Sequence, residues 1–182
     1  MEDQKVKGQV LELPAEVNAQ ISAGMLSFKG PKGEGKLAAA VPGIKISVEG
    51  KKITFESLKP GKKVKKMLGT LVARSKNMVE GVTNLHTYKM KICSGHFPMT
   101  VTVSGHDLII KNFFGEKFPR KLKINPEVKV KVEGQEIIID SIDIDAASQF
   151  AGSVEQITRR SNFDRRIFMD GIYIISKGRH KI

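Results

Sequence analysis

Cysteine is almost absent from this 182-residue chain, with Cys93 the single one. One thiol excludes an intramolecular disulfide, so the sequence reads as that of a reduced, intracellular protein. Long apolar runs are missing too. The longest, such as Leu37–Pro42 and Ile137–Ile139, fall far short of the roughly 20 residues of a membrane span. The opening Met1-Glu-Asp-Gln-Lys5 is charged and no apolar stretch follows it, which argues against a secretory leader. Metal-ligand spacing is also lacking. There is no Cys-x-x-Cys, and His86, His96, His106 and His180 make no i, i+4 pair. No Cys–His pair has a third group to orient it, and no two carboxylates stand out as an acid and a base in an apolar setting. The sequence therefore predicts no enzyme, no cofactor and no small-molecule substrate. Cys93, inside the strand-like run Tyr88–Cys93, is expected to be buried. Acid is scarce as well: 19 Asp and Glu stand against 31 Lys and Arg, leaving a net charge of +12. That excess is silent about fold but favours polyanionic partners.

What is present is enough for a packed core, since 40% of the residues are hydrophobic. The length suits one medium domain or two small ones, and is short of the roughly 250 residues of a (β/α)8 barrel. An internal repeat favours two. Ile44–Ser57 lies over Val128–Ser141 at a constant offset of 84, with Lys, Val, Glu, Gly, Ile and Ser matching. Each copy alternates apolar and polar residues, turns at Glu-Gly and continues in a second β-rich run, the pattern of a β-hairpin. Further alternating pairs precede them at Gln20–Phe28 and Met99–Lys111. After each comes a helical stripe: Val64, Met67, Leu68, Leu71 and Val72 in the first half, and Ala146, Ala147, Phe150, Val154 and Ile157 in the second. Pro60 suits the first helical turn of one, and Ser141 or Asp143 the N-cap of the other. The expected fold is α+β: two tandem copies of a small antiparallel β-sheet domain with one long helix packed on one face. The boundary is expected in the polar stretch Asn77–Thr87, giving domains 1–82 and 83–182.

Charge is segregated along the chain. Lys59–Lys76 holds seven bases and no acid, and Arg159–Lys181 holds seven bases against Asp164 and Asp170. Glu133–Glu155 holds six acids and no base. Lys62, Lys63, Lys65 and Lys66 oppose the dipole at a helix start, which points to an external anion such as phosphate. The bland alternative is a solvated helix face. In Arg159-Arg160-Ser-Asn162-Phe163-Asp-Arg165-Arg166, arginine forks can grip phosphate or stack on bases, with Asn and Phe interleaved. Its bland alternative is a helix C-terminus whose arginines complement the dipole. Gly30-Pro-Lys-Gly-Glu-Gly35-Lys36 imitates a P-loop, but Leu37 replaces the required hydroxyl and Pro42-Gly43 would stop the following helix. A plain turn with Lys32 exposed is expected there.

Several motifs together resemble one family. They are Gly30-Pro-Lys-Gly33, Asn77-Met-Val-Glu-Gly-Val-Thr83, Tyr88-Lys-Met-Lys91, His96-Phe-Pro98, Asn112-Phe-Phe-Gly-Glu-Lys117 and Phe168-Met-Asp-Gly-Ile-Tyr173. The chain resembles, almost end to end, large-subunit ribosomal protein six of the archaeal and eukaryotic type, whose eukaryotic relative is called protein nine. The resemblance implies two similar α+β domains, no enzymatic activity, and a cytoplasmic ribosomal location. It also implies binding to large-subunit rRNA near the sarcin–ricin loop and the stalk base. Neighbouring ribosomal proteins and translation GTPases would be close by. The C-terminal domain is implied to make most RNA contacts, through His96, Lys111, Asn112, Phe113, Lys117, Arg159, Arg160, Asn162, Arg165, Arg166, Tyr173 and Lys177. Backbone groups at Gly115 and Gly171 would help fix register on the RNA. Lys32, Lys62, Lys63, Lys65 and Lys66 are expected as secondary RNA contacts. A departure at Gly35-Lys36 leaves the length of that hairpin loop open. A module for another structured RNA, or a nucleotide-dependent enzyme, would be the alternatives.

Overall fold

In a computed structural model, the described residues are 8–58, 61–164 and 166–178, with the backbone alone at 180–181. The chain divides into two compact units, Met1–Leu85 and His86–Ile182. Pro60, expected at a helix start, lies outside the described residues, as do Lys59, Arg165 and Arg179 of the two basic stretches.

The first unit contains β1 (Gln9–Glu12), β2 (Asn18–Ser22), β3 (Met25–Gly30), β4 (Gly33–Ala38), β5 (Ile44–Glu49), β6 (Lys52–Ser57) and helix α1 (Lys62–Thr83). Its strands divide between two antiparallel sheets, β1-β6-β5 and β2-β3-β4. The alternating pattern supplies the inward side chains: Leu26 and Phe28 on β3, Leu37 on β4, and Ile53 and Phe55 on β6 are all buried. Helix α1 covers β3, β4 and β6. Its apolar stripe sits further along than the sequence suggested. Leu68, Leu71, Val72, Ser75, Met78, Val79 and Val82 are buried, whereas Val64 is half-buried and Met67 is 50% exposed. The polar-looking Asn77–Thr83 therefore belongs to the helix rather than to a linker, because Met78, Val79 and Val82 continue the 3.6-residue period.

Gly30-Pro-Lys-Gly33 is a two-residue hairpin turn in which Gly30 pairs with Gly33. It abuts the C-terminus of α1, where the Lys32 N–H donates to the Val82 carbonyl at 3.0 Å. A Cβ at Gly30 would lie 2.8 Å from that same carbonyl oxygen, so the close approach requires glycine. The turn thus seals the end of the helix, and Leu37, at the supposed P-loop hydroxyl position, is buried in β4.

The second unit contains β7 (His86–Cys93), β8 (Thr100–Ser104), β9 (Asp107–Lys111), β10 (Arg120–Lys123), β11 (Val128–Glu133), β12 (Glu136–Ser141), α2 (Ile144–Ile157), β13 (Gly171–Lys177) and β14 (His180–Lys181). The sheets are β10-β9-β8 and β11-β12-β7-β13-β14. The repeat holds to the residue: β5 and β6 map onto β11 and β12 at the offset of 84, and Ile44 faces Ser57 as Val128 faces Ser141. Asp143, not Ser141, caps α2, accepting the Asp145 N–H at 3.0 Å. Ala147, Phe150, Ala151 and Val154 are buried against β7, β12 and β13, beside Met90, Ile137, Ile139 and Ile172. Cys93 is a correction: it is only half-buried, because the inward set on β7 is His86, Tyr88, Met90 and Ile92 and Cys93 falls on the other side of the pleat.

Besides a shorter helix, 14 residues against 22, the second copy departs from the first in two insertions. Between β9 and β10 it has the eight-residue segment 112–119, where the first copy has only Pro31-Lys32 between β3 and β4. After α2, residues 158–170 return the chain to β13, which adds to β7 beyond the strands the two copies share.

Candidate nucleic-acid interface

The two departures meet. Segment 112–119 opens with backbone that L-residues seldom adopt: Asn112 has φ 59°, Phe114 φ 49° and Gly115 φ 72°. For a residue as bulky as Phe114, a left-handed conformation is a strained one. Asn112 is held by its Nδ2, which donates to the Pro98 carbonyl at 2.9 Å. The alternation of conformation turns adjacent rings in different directions. Phe113 is 1% exposed and sits in the core, while Phe114 lies at the surface, edge-on to it with ring centres 4.9 Å apart. The Phe113 ring is thereby withdrawn from the surface, and the half-buried Phe114 ring is the one that lines the cavity described below.

Residues 158–170 bring two more rings. Phe163 lies 5.7 Å from Phe114 and 5.1 Å from Phe168, and His96 lies 4.9 Å from Phe168. The Arg160 guanidinium sits 4.3 Å from the Phe163 ring centre and 5.2 Å from that of Phe114, close enough for cation–π attraction. Asp164 shapes this loop by accepting backbone N–H groups: Arg166 at its side chain, and Ile167 and Phe168 at its carbonyl. Asn162, with φ 67°, forms the exposed bend.

Two anchors hold the assembly, Asp170 buried and Arg120 partly so. Asp170 accepts the Gly95 N–H at 2.5 Å and the His96 N–H at 3.1 Å, with the His96 Nδ1 3.4 Å away. Burial alone would raise its carboxyl pKa. The backbone N–H groups of Gly95 and His96, with the His96 ring, outweigh that and hold it below the ordinary value. Arg120 forks onto Glu116 at 2.5 and 2.8 Å, donates to the Ile157 carbonyl at the end of α2, and lies 4.3 Å from the Phe113 ring centre. The hydrogen bond to Arg120 keeps the Glu116 carboxyl below its usual range, with charge attraction from Arg120 and Arg160 adding to it against partial burial. Thr158 accepts the Ile172 N–H at 3.1 Å and so ties the helix end to β13.

Between these parts lies a cavity of about 210 Å³, lined by Phe114, Phe163, Phe168 and Tyr173 rings, by Arg159 and Arg160, and by Glu155 and Asp170. Of the residues the sequence nominated, Lys111, Lys117, Arg159, Arg160, Asn162, Arg166 and Lys177 are exposed, with Arg159 and Arg160 at the cavity itself, and Tyr173 is half-buried. The His96 side chain is 41% exposed. Gly171 does not offer its backbone: it is buried and paired with Cys93, and a Cβ there would meet the Tyr173 hydroxyl at 3.1 Å. Sequence reasoning did not assign Phe114, Phe168 or Asp170 to this surface. The paired Phe-Phe and the Phe-Met-Asp-Gly motif were the available signals, but only the backbone turns show which groups face out. In the first unit Lys32, Lys62, Lys63, Lys65 and Lys66 are all exposed. The first turn of α1 has no acidic residue and no side-chain cap.

The model of the family described as Ribosomal protein L6 matches residues 13–84 and 97–171, one stretch in each unit. The chain belongs to the ribosomal protein L6 family. It is 42% identical over 173 residues to large ribosomal subunit protein uL6 of Ignicoccus hospitalis, covering 92% of this chain and 93% of that protein. It is 41% identical over 169 residues to the uL6 protein of Methanosarcina mazei, covering 93% and 96%, and 39% identical over 167 residues to that of Methanococcus vannielii. The L6 match in the second unit takes in both segment 112–119 and the loop after α2, so the surface built from them lies within the L6 repeat.

Proposed function

We propose that this chain is a structural constituent of the large ribosomal subunit, that it catalyses no reaction, and that its second unit fastens it to large-subunit rRNA. The observation that carries the reading is a braced aromatic platform lined by the exposed Arg159 and Arg160, with Arg166 in the same loop, Lys117 in segment 112–119 and Lys177 at the end of β13 also exposed. Arginine and lysine neutralise backbone phosphates, while exposed rings and amides meet unpaired bases in irregular RNA. Arg165, in the same basic run, belongs to this assignment by sequence and lies outside the described residues. The lysines at the start of α1 form a second phosphate-facing patch in the first unit. The RNA we propose for it lies near the sarcin–ricin loop and the stalk base, as the sequence resemblance implies. There two rigid units would brace the region on which translation GTPases dock. The acidic tip of the β11–β12 hairpin, with Glu133 and Glu136 exposed, suits a basic ribosomal protein neighbour better than RNA.

The test is binding of the full chain to large-subunit rRNA across a salt series. Arg159→Ala with Arg166→Ala should weaken binding and flatten its salt dependence by roughly 0.7–0.9 per lost phosphate contact. The thermal transition should stay in place, because both side chains are exposed. Unchanged affinity at every salt concentration would refute the assignment.

A further inference from the structure

The cavity in the second unit has a chemistry that a phosphate-gripping surface does not require. Four rings line it, Phe114, Phe163, Phe168 and Tyr173, among polar side chains that include Gln156, whose amide can both donate and accept. Its acidic members, Glu155 and Asp170, can only accept hydrogen bonds when ionised. Of the Asp170 oxygens, Oδ1 takes the Gly95 and His96 N–H groups, while Oδ2 takes only that of His96, leaving capacity for a further donor. Thr158 is already engaged on both sides, by the Ile172 N–H and by the helix carbonyls of Val154 and Glu155. Two carboxylates would repel an anion placed inside, and Arg159 and Arg160 beside them disfavour a cation. The volume, about 210 Å³, is below the roughly 300–1,000 Å³ of pockets for drug-sized ligands. It suits one flat ring system with its charged attachment outside.

We propose that this cavity takes a single unpaired guanine of the bound RNA, swung out of its stack. The inference rests on the rRNA-binding reading above. The base stacks among Phe114, Phe163 and the Arg160 guanidinium. Guanine is the base whose pairing edge places two neighbouring donors, N1–H and N2–H, where carboxylate acceptors can receive them. Its phosphate stays at the rim, near Arg159. The strained Phe114 backbone and the buried Asp170 are then the groups that preorganise the receptor.

The experiment uses the full chain and protein-free large-subunit rRNA. A 1,2-dicarbonyl reagent that attacks N1 and N2 of unpaired guanine reports on the base. Phe163 is 38% exposed, so its removal leaves the core intact. Bound wild-type protein should shield a guanine that Phe163→Ala leaves reactive and that Phe163→Trp, which keeps an aromatic face, still shields. Phe163→Ala should also weaken binding roughly tenfold, with the salt dependence unchanged. Normal rRNA binding without any guanine whose protection depends on Phe163 would overturn the inference and leave the rRNA reading standing. Phe163-dependent protection confined to another base would overturn the guanine assignment. A chain that binds no rRNA would overturn the proposed function and this inference with it.

Discussion

Arg120 shows how much one side chain can organise at the surface described above. It serves a carboxylate, the open end of α2 and the face of Phe113 at once. Replacing it with alanine would leave the Glu116 carboxylate and the Ile157 carbonyl without their donor. Arg120→Ala should lower stability by about 2 kcal/mol in urea unfolding. Arg120→Lys should restore less than half of that, since an ammonium cannot form the same fork. Acid acts on the same neighbourhood. Glu116 and Asp170 both have folded-state pKa values lowered from the ordinary 4.5 and 3.8. A depressed carboxyl stabilises the fold above its unfolded value, and that contribution is lost as pH falls through the lower, folded value. Stability should therefore be flat in these groups near neutrality and decline below about pH 4.5. An Asp170→Asn chain should show a shallower decline in thermal melts taken from pH 6 downward.

At the scale of elements, α1 and the Gly30–Gly33 turn carry opposite lessons. The four lysines around the start of α1 oppose its dipole, and its N-cap residue, Gly61, has no side chain to cap it. Lys63→Glu should thus stabilise the first unit by about 0.3–1 kcal/mol while weakening rRNA binding, a pair of opposed signs that calorimetry and a binding titration can separate. Gly30→Ala should destabilise the same unit by about 1–3 kcal/mol, the usual range for forcing a group into a packed site, because its Cβ meets the backbone oxygen of Val82. Much of this level was legible from residues alone. The hairpins declared themselves by alternation and by Glu-Gly turns, and the helices by their stripes. The end of α1 did not, since Asn77, Glu80 and Gly81 suggest a linker until Met78, Val79 and Val82 are counted as one face. The orientation of Phe113 and Phe114 was also hidden. Periodicity has no meaning in a segment where Asn112, Phe114 and Gly115 all have positive φ. Asp170 was invisible for a different reason: its partners, Gly95 and His96, lie on the far side of the sequence.

For the whole molecule, the informative comparison is between the two copies. They agree residue for residue in the β5–β6 and β11–β12 hairpins and differ where the second carries the aromatic platform. Duplication thus supplied a scaffold, and the inserted segment 112–119 with the loop after α2 supplied the distinct chemistry. Each unit has its own buried core. Residues 86–182 alone should therefore melt cooperatively and keep most of the rRNA affinity, whereas residues 8–85 alone should bind weakly and with a salt dependence set by the α1 lysines. Circular dichroism and a binding titration on the separate units would check both.

The addition of β13 to β7 also imposes an order of events during synthesis. Asp170 reaches Gly95 from 75 residues further along the chain, and Gly171 pairs with Cys93 at the opposite end of the unit. Long-range pairing of this kind forms late, after the intervening chain exists. A nascent chain that has completed α2 already displays Arg159 and Arg160 but has nothing to anchor the loop that positions Phe163 and Phe168. Until β13 has emerged it is a flexible cation. The braced aromatic surface forms only on a finished unit, so a premature fragment would meet RNA through charge alone.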